Sequence, residues 1–291
     1  MSKVKIVTKN NQRFYEIDGR KCPSVTTVLS FFEDKSFLND WKTIPGNEKK
    51  GRDSLNRGKR IHRYLELFLK QDVKEIEKCK ICLTEDDWKY IKLYQTYLES
   101  FTPLYLEHKV GYFRDVEGST IGAGGTFDAL VQLRDGITFK EKGTKKIEER
   151  DIEIPNSKFI VDYKNVSKQN NLYYYIKYFL QVAAYTAFFN FQDELKLRVN
   201  QAIVVVNSGH TVKYLYVKPR LLSLYFSMFQ DLLLYYSKKG DTRKDATQFF
   251  KDMVQEKLNV SYKNNYYILD NNFMPQNIIL SPKYKNETND I

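Results

Sequence analysis

The sequence predicts an α/β fold in which a central mixed β-sheet is flanked by helices. Segments with helical spacing of apolar residues alternate with short apolar segments that are typical of buried strands. Through the core, the order is a helix, three strands, a helix and a further strand, which a mixed sheet accommodates. Regular apolar segments run from near Phe14 to about Leu269, which predicts one domain over about 1–280 and a flexible tail at 281–291.

The elements before the core are predicted to be a hairpin and a short helix. KVKIV and QRFYEI flank the turn-like segment 9–11, a pattern that predicts a β-hairpin. In SVTTVLSFF, which follows Pro23, either Ser24 or Thr26 would cap a short helix. The polar stretch around Pro45-Gly46, followed by NEKKGRD, predicts a loop.

The predicted core spans about 54–206 and begins with a helix. Over 54–69, apolar residues recur at spacings of three and four and so form one stripe. The members of this stripe are Ile61, Leu65, Phe68 and Leu69. The elements that follow are a helix at 85–101, strands at 104–113, 121–133 and 158–165, a helix at 172–189 and a strand at 201–206.

Two segments are predicted to lie outside this core. Residues of about 136–157 are highly charged and mixed in sign, which predicts a long hairpin loop or insertion. After the core, a strand at 211–217 is predicted to precede C-terminal helices within about 219–258.

The charge balance favours a polyanionic partner. Lys and Arg number 47 against 36 Asp and Glu, which gives a formal charge of +11. Lys and Arg bind phosphates and release counterions, so such an excess is typical of proteins that bind nucleic acid. A composition rich in Lys, Asn and Tyr can also reflect the base composition of a gene, and this alternative stays open.

The composition argues against membrane and secreted classes. No stretch approaches the roughly 18 apolar residues that a membrane helix requires, and MSKVKIVTKN lacks the apolar core of a signal peptide. We therefore expect a soluble, cytoplasmic protein. Three cysteines are too few for a disulfide scaffold. The CxxC of Cys79 and Cys82 is interpreted as two small residues near a helix end, in preference to a zinc, iron–sulfur or redox site.

Two charged residues interrupt the end of a predicted apolar strand. In KFIVDYKN, Asp162 and Lys164 are two apart, and side chains two apart in a strand point to the same face. Two charges on one face of a buried strand are costly unless they face a cleft or a metal ion. The alternative is a strand end that emerges into water with a chance ion pair.

Asp128 interrupts a second apolar strand, in GGTFDALV, where two glycines permit close approach of another backbone. If the two strands are neighbours, Asp128 and Asp162 converge and offer two carboxylates to a hard divalent cation, Mg²⁺ or Mn²⁺. Such an ion lowers the pKa of bound water and offsets charge that develops on a phosphate. Lys164 would then orient the water or act as a positioned cation.

Four short motifs together resemble those of the PD-(D/E)xK nucleases, and specifically the RecB-like branch. They occur in the family's order and each lies on the expected type of element. They are Arg57-Gly58 with His62, Gly125-Thr126-Phe127-Asp128, Asp162-Tyr163-Lys164, and Gln181-Val182-Ala183-Ala184-Tyr185.

The opening of the chain strengthens this resemblance. CPSVTTVLS, with Trp41 downstream, is similar to phage-type exonucleases and to the mitochondrial genome maintenance exonuclease. The resemblance covers roughly 23–206. It implies a restriction-endonuclease-like core, to which this chain adds the N-terminal hairpin and the C-terminal helices.

The resemblance also implies roles for individual residues. Asp128 and Asp162 would bind the metal ion, and Lys164 would be the catalytic lysine. The carbonyl of Tyr163 would contribute a further ligand. His62 would be an additional metal ligand, the alternative being a helix histidine that is bonded to its surroundings.

Two glutamates are weighed as additional acidic residues of the site. Glu66, one turn after His62, would bind a second ion or position a water molecule, and a glutamate at the edge of the surface explains it equally well. Glu107, on the preceding strand, matches a recurrent acidic position, while a solvated strand charge explains it nearly as well.

Contacts to DNA are predicted on two helices. Gln181 and Tyr185, four apart on one helical face, would lie beside the active site and hold DNA or the lysine. Arg57 would contact DNA from the earlier helix. Tyr174 is a candidate for stacking on an unpaired base, although some of the tyrosines near it must belong to the core. Lys168 is a candidate phosphate contact.

The leading hypothesis is a metal-dependent DNA exonuclease that acts on single strands or ends, in phage or bacterial DNA replication, recombination or repair. The single-strand preference rests on the resemblance and on the tyrosines. One alternative keeps the fold and makes the enzyme a structure-specific or restriction-type endonuclease. The other is a DNA-binding protein without activity, against which the complete set Asp128, Asp162 and Lys164 argues.

Overall fold

The N-terminal segment forms a small antiparallel sheet. The computed structural model of the protein describes residues 4–9, 12–33, 36–116, 118–135, 137–142, 149–152, 158–166, 172–192, 197–238, 243–263, 266–268 and 271–282. Strands β1 (Val4–Lys9), β2 (Gln12–Ile17) and β3 (Arg20–Pro23) pair in sequence order. The predicted hairpin is confirmed. A third strand follows it after a tight turn at Asp18-Gly19, where both residues have positive φ.

Three helices follow this sheet. They are α1 (Val25–Phe31), α2 (Ser36–Thr43) and α3 (Asn47–Lys70). Ser24 caps α1, as predicted, by accepting a hydrogen bond from the backbone of Thr27 at 2.9 Å. The loop predicted for NEKKGRD is wrong, because this segment is the first two turns of α3. Glu, Lys and Arg are good helix formers, and here they are polar because they face solvent.

The apolar stripe of α3 differs from the prediction at one position. Phe68 is 42% exposed, whereas Leu67 beside it is 2% exposed. The other three predicted members are buried in the core. Phe68 lies three residues after Leu65, and Leu67 lies three residues after Tyr64, which is also buried, so helical spacing alone could not separate the two.

Three shorter helices, α4 (Val73–Ile81), α5 (Glu85–Leu93) and α6 (Gln95–Ser100), pack after α3. The helix predicted over 85–101 is present as two helices, α5 and α6, which a turn at Tyr94 separates. Helix α4 was not predicted. Cys79 is half-buried and Cys82 is exposed at the end of α4, and both are free thiols.

Asp87 connects α5 to α3. Its carboxylate is 0% exposed, accepts hydrogen bonds from Arg60 at 2.7 and 3.1 Å, and closes a capping box with Thr84. Asp87→Ala leaves the Arg60 guanidinium without its partner and removes the cap. We therefore expect a loss of about 3 kcal/mol in the free energy of unfolding, measured in urea. Asp86→Ala, an exposed neighbour paired with Lys89, is the control and should differ little from wild type. Equal midpoints of urea unfolding for Asp87→Ala and Asp86→Ala would contradict the stabilising role of Asp87.

The remaining elements build the main sheet and its covering helices. In order they are β4 (Phe101–Val116), β5 (Ser119–Leu133), β6 (Ile137–Lys142), β7 (Glu149–Ile152), β8 (Lys158–Asn165), α7 (Leu172–Phe191), β9 (Ala202–Asn207), β10 (Val212–Val217), α8 (Pro219–Ser237), α9 (Arg243–Lys257), β11 (Ser261–Lys263), β12 (Tyr266–Ile268) and β13 (Gln276–Pro282).

Within the described residues, eight strands form the sheet in the order β4-β5-β8-β9-β10-β13-β6-β7. The pair β8–β9 is parallel and the other neighbours are antiparallel, so the predicted mixed sheet is confirmed. Because α7 connects β8 to β9, these elements form the crossover that a parallel pair requires.

The segment predicted as a long hairpin loop or insertion, about 136–157, forms an antiparallel hairpin where the structure describes it. This segment contributes β6 and β7, and β6 pairs with β13 near the C-terminal end of the chain. In β6, Phe139 is buried against Phe101 and Phe159. Residues 143–148 and 153–157, and the predicted tail from 283 onward, lie outside the described residues.

Helices cover both faces of the sheet. Side chains alternate along β8, so Ile160 packs in the cluster formed with α7 and α8, whereas Val161 packs in the cluster formed with α3, α5 and α6. α7 is apolar on all sides because the sheet, α1 and α8 surround it. No helix in the described part of the chain is both long and apolar enough to cross a bilayer.

Candidate active site

The candidate site lies where β5 and β8 separate. Their antiparallel pairing runs from Gln132↔Lys158 to Ala129↔Val161. One step further along this register, Asp128 lies opposite Asp162. The backbone N–H of Tyr163 has no ladder partner there and instead donates to Asp128 Oδ2 at 2.7 Å. The Asp128 carboxylate thus takes the place of a strand backbone, because a buried N–H requires an acceptor.

Asp162 and Lys164 face α7, as the strand period predicts. Lys164 Nζ lies 2.7 Å from Asp162 Oδ2 and donates to Gln181 Oε1 at 3.1 Å. Gln181 Nε2 donates to Asp162 Oδ1 at 3.1 Å and to the Tyr185 hydroxyl at 3.0 Å. The side-chain amide of Gln181 therefore contacts both Asp162 and Lys164, and it also donates to Tyr185.

Gln181 and Tyr185 are 7% and 3% exposed, so they have little surface with which to contact DNA. Of the two roles expected for them, their contacts match the one of holding the lysine. Lys164 is also bounded by the ring of Tyr178, whose centroid lies 5.0 Å from Nζ. Charge, hydrogen bonds and an aromatic face together restrict where this ammonium can lie.

The two glycines of β5 allow side chains to approach from two elements. A Cβ on Gly125 would lie 2.2 Å from Cε1 of Tyr185, and a Cβ on Gly124 would lie 2.4 Å from Cβ of Tyr15. Any larger residue would displace α7 or the N-terminal sheet. The close approach expected at GGTFDALV is thus explained by two tyrosines.

His62 reaches the site from α3. Its Nδ1 lies 3.4 Å from Asp128 Oδ1, and its ring meets the ring of Tyr163 edge-on at 5.6 Å between centroids. Burial lowers the pKa of His62, but the charge of Asp128, its hydrogen bond to the ring and the charge of Asp162 together raise it by more, so the net shift is upward. His62 therefore contacts Asp128, one of the two carboxylates with which it was expected to bind a metal ion.

The two carboxylates have pKa values shifted in opposite directions. Burial raises the pKa of Asp162 to about 6, and the negative charge of Asp128 adds to this effect, although Lys164 opposes it. Burial also acts to raise the pKa of Asp128, but His62 and Lys164 hold it below its ordinary value. Burial acts to lower the pKa of Lys164, yet Asp162 and Asp128 raise it. Divergent shifts in one cluster are typical of functional sites.

Glu66 and Glu107, the two glutamates that the sequence offered as additional acidic residues, both line one cleft. Glu66 is ion-paired with Arg63 at 2.9 Å and with Lys70, and these cations outweigh burial and lower its pKa. Glu107 lies beside Asp128 in the register of β4 and β5 and has a left-handed backbone with φ of 48°. Partial burial, followed by the charges of Asp128 and Glu66, raises the pKa of Glu107 to about 7.

An open cleft of about 780 Å³ connects these groups to solvent. Its walls come from β2, α3, β4, β5 and the end of β8, and Asp128, Tyr163 and Lys164 line it. Asp162 itself is 2% exposed. The site is therefore accessible to a large ligand at the ammonium and at one carboxylate.

Some predicted DNA contacts do not lie in the cleft. Arg57 packs with its guanidinium 4.8 Å from the Tyr90 ring centroid and contacts Ser54, and it is not among the lining residues. Lys168 lies outside the described residues, and so does the side chain of Tyr174. Of its neighbours in α7, Tyr175 is 1% exposed and belongs to the core.

Sequence reasoning missed several lining residues, and three of them bear on the chemistry of the site. Asn165 follows Lys164, and its Oδ1 accepts a hydrogen bond from the Tyr94 hydroxyl at 3.1 Å. Lys59 precedes His62 by one turn on α3, and this spacing could have indicated it. Arg13 comes from the N-terminal sheet, and no sequence signal connects it to the site.

The donor set suits a hard cation. Among the described residues, no group of three or more His, Cys, Asp or Glu side chains is placed to share one metal ion. Mg²⁺ retains several waters, however, and is commonly bound by one or two carboxylates together with substrate phosphate oxygens. Asp128 and Asp162 supply two such carboxylates, and their mutual repulsion, visible in the raised pKa of Asp162, is what a dication would relieve.

Comparisons with known proteins add no argument on function. No family model matches the chain, and no curated protein is similar to it in sequence. Among solved structures, the chain is similar to the crystal structure of SSO0001, with a TM-score of 0.28 and 9% identity over 67% of this chain and 74% of that chain. Similarity at this level carries no conclusion, and the proposals below rest on the residues of the site.

Proposed function

We propose that the protein is a metal-dependent deoxyribonuclease, an exonuclease that hydrolyses phosphodiester bonds of single-stranded DNA or DNA ends in replication, recombination or repair. The observation that carries the proposal is the hydrogen bond from the Tyr163 N–H to Asp128 Oδ2. It fixes Asp128 next to Asp162 and Lys164 at an open cleft. A strand end with a chance ion pair would not need a carboxylate from a second strand.

The charges of the cleft support a phosphate substrate. Arg13, Lys59 and Lys164 line it, and the whole chain carries a formal charge of +11. A basic protein attracts the DNA backbone over long range, and lysine and arginine then neutralise individual phosphates. The carboxylates deep in the cleft are unfavourable for phosphate binding unless a cation accompanies them, which supports a metal ion.

Hydrolysis of the ester requires charge stabilisation at one phosphate. The oxygen of a water molecule attacks phosphorus, one P–O ester bond breaks, and the departing oxygen gains a proton. Asp128 and Asp162 raise the pKa of Lys164, so its amine is a charged ammonium at neutral pH. A fixed ammonium suits stabilisation of the negative charge on the phosphate. Gln181 positions this ammonium.

Asp128 and Asp162 would hold Mg²⁺ or Mn²⁺, with the carbonyl of Tyr163 as a further ligand. When bound, the ion supplies a water of lowered pKa and offsets charge on the phosphate. His62 contacts Asp128 and is the additional candidate ligand from α3. Glu66 is ion-paired with Arg63 and Lys70, so these two cations offset its negative charge.

The test is cleavage of end-labelled linear single- and double-stranded DNA, beside a covalently closed circle, in Mg²⁺ and in EDTA. We expect linear DNA to be degraded in Mg²⁺, EDTA to stop degradation, and the circle to stay intact. Asp162→Ala is expected to abolish cleavage because it removes a buried metal-binding carboxylate. Asp86→Ala, an exposed aspartate on α5, is the matched control and should cut as wild type does.

Each other outcome has a defined meaning. Wild-type rates for Asp162→Ala would contradict the site. A cut circle would favour the endonuclease alternative of the same fold. If the wild type binds DNA but does not cleave it in Mg²⁺ or in Mn²⁺, a DNA-binding protein without activity is favoured.

A further inference from the structure

The N-terminal sheet contributes a cation to the cleft. Arg13, on β2, lines it together with Thr126 and Asp128 of β5. We propose that Arg13 binds a phosphate of the DNA strand that occupies the cleft, so that the N-terminal sheet forms one wall of the substrate site. This inference rests on the proposed function and adds a substrate-binding residue to it.

The position of Arg13 is fixed by two contacts. Its Nη2 donates to Thr126 Oγ1 at 3.0 Å, and its Cζ lies 5.1 Å from the centroid of the Tyr15 ring. Tyr15 is 2% exposed, and its hydroxyl makes a hydrogen bond with the same threonine oxygen at 2.9 Å. An arginine that served only to cover a surface would not need an anchor on the strand that carries Asp128.

The anchor places the guanidinium close to the reacting groups. Thr126 and Asp128 are two residues apart on one strand, so their Cα atoms are separated by roughly 7 Å. Arg13 also acts to lower the pKa of Glu107, which shows that its charge reaches the carboxylate next to Asp128. Arg13 is therefore within reach of a strand that occupies the cleft at Asp128 and Lys164.

The donors of Arg13 remain available to a ligand. The side chain is exposed, and Nη2 is the donor that contacts Thr126. Among the described residues, no carboxylate lies within ion-pair distance of this guanidinium. A planar guanidinium suits two-point binding of a phosphate better than an ammonium does.

Arg20 provides a matched control from the same sheet. It is also exposed, and its guanidinium also lies over an aromatic ring, that of Phe113, at 5.8 Å from the centroid. Arg20 does not line the cleft. Arg13→Ala and Arg20→Ala therefore remove the same charge and the same kind of ring contact, and they differ in proximity to the site.

The experiment measures affinity for a fluorescent single-stranded oligonucleotide in EDTA, where no cleavage is expected, over a series of salt concentrations. Arg13→Ala should weaken binding about 10-fold, as expected for loss of one charge-assisted contact, and should reduce the slope of log Kd against log salt by about 0.7. Arg13→Lys should keep the slope and lose part of the affinity. Arg20→Ala should stay within about twofold of wild type.

A cleavage assay in Mg²⁺ provides the second readout. Arg13→Ala should raise KM more than it lowers kcat, because a phosphate contact distant from the reacting bond is made equally in the ground and transition states. Equal affinity and equal salt slope for Arg13→Ala and Arg20→Ala would overturn the assignment even if the wild type cuts DNA. A defect specific to Arg13 supports it even if the wild type only binds DNA.

Discussion

Lys164→Ala is expected to lower kcat for DNA cleavage by about 100- to 1,000-fold, the loss typical of removing one fixed group that stabilises charge in a transition state. Affinity for DNA should change much less, because the other lining cations remain. The measurement pairs single-turnover cleavage in Mg²⁺ with binding in EDTA. Loss of kcat at nearly constant Kd is the signature of an interaction that matters mainly in the transition state.

Two variants control this experiment. Lys164→Met preserves most of the side-chain volume against Tyr178 and Gln181, so a defect shared with Lys164→Ala reflects the lost charge and not a cavity. Lys59→Ala removes an exposed lysine that lines the same cleft and should keep kcat within a few-fold of wild type. Equal kcat values for Lys164→Ala and Lys59→Ala would show that Lys164 has no special role.

Asp162→Asn is expected to stabilise the metal-free protein relative to wild type, and increasingly so as the pH rises from about 4 to 7. Folding raises the pKa of Asp162 from 3.8 to about 6, so the folded chain holds this proton more tightly than the unfolded chain. Its favourable contribution is complete below pH 3.8 and is lost as the pH rises through about 6. The effect is on the order of 3 kcal/mol, since each pKa unit corresponds to about 1.4 kcal/mol.

Urea unfolding of both proteins across this pH range, in EDTA, measures the difference. His62 and Glu107 also have raised pKa values, but they are present in both proteins and largely cancel in the comparison. Asp86→Asn, an exposed control, should follow the wild-type curve at all these pH values. Mg²⁺ at pH 8 should stabilise wild type more than Asp162→Asn, because the ion binds the folded state. If the free energy of unfolding changed with pH in the same way for wild type and Asp162→Asn, the prediction would be refuted.

The chemistry-bearing part of the site followed from local rules. The period of two in a strand is sufficient to place Asp162 and Lys164 on one face, and a helical period places Gln181 and Tyr185 on another. Sequence alone left open whether Asp128 is on the neighbouring strand. The register that sets Asp128 opposite Asp162 depends on which residues of β5 and β8 pair, and no local pattern specifies that.

Other features depended on contacts between distant segments. Arg13 and Thr126 are 113 positions apart, and their contact exists because the N-terminal sheet packs on β5. The charged residues of β6 made this strand resemble a loop in the sequence. Its partner β13 lies near the C-terminal end of the chain, far from β6 in sequence, so nothing nearby indicated that Phe139 would be buried. Helix α3 began earlier than predicted because a polar segment was interpreted as loop.

The bond between the Asp128 carboxylate and the Tyr163 backbone has an evolutionary consequence. Asp128 has a structural task beside the chemical one proposed for it, since its loss would leave a buried N–H without an acceptor where two strands part. Lys164 contacts only side chains there, so its removal leaves no backbone group without a partner. A lineage that gave up the reaction while keeping the fold would therefore be expected to lose the lysine first and to retain the aspartate long afterwards.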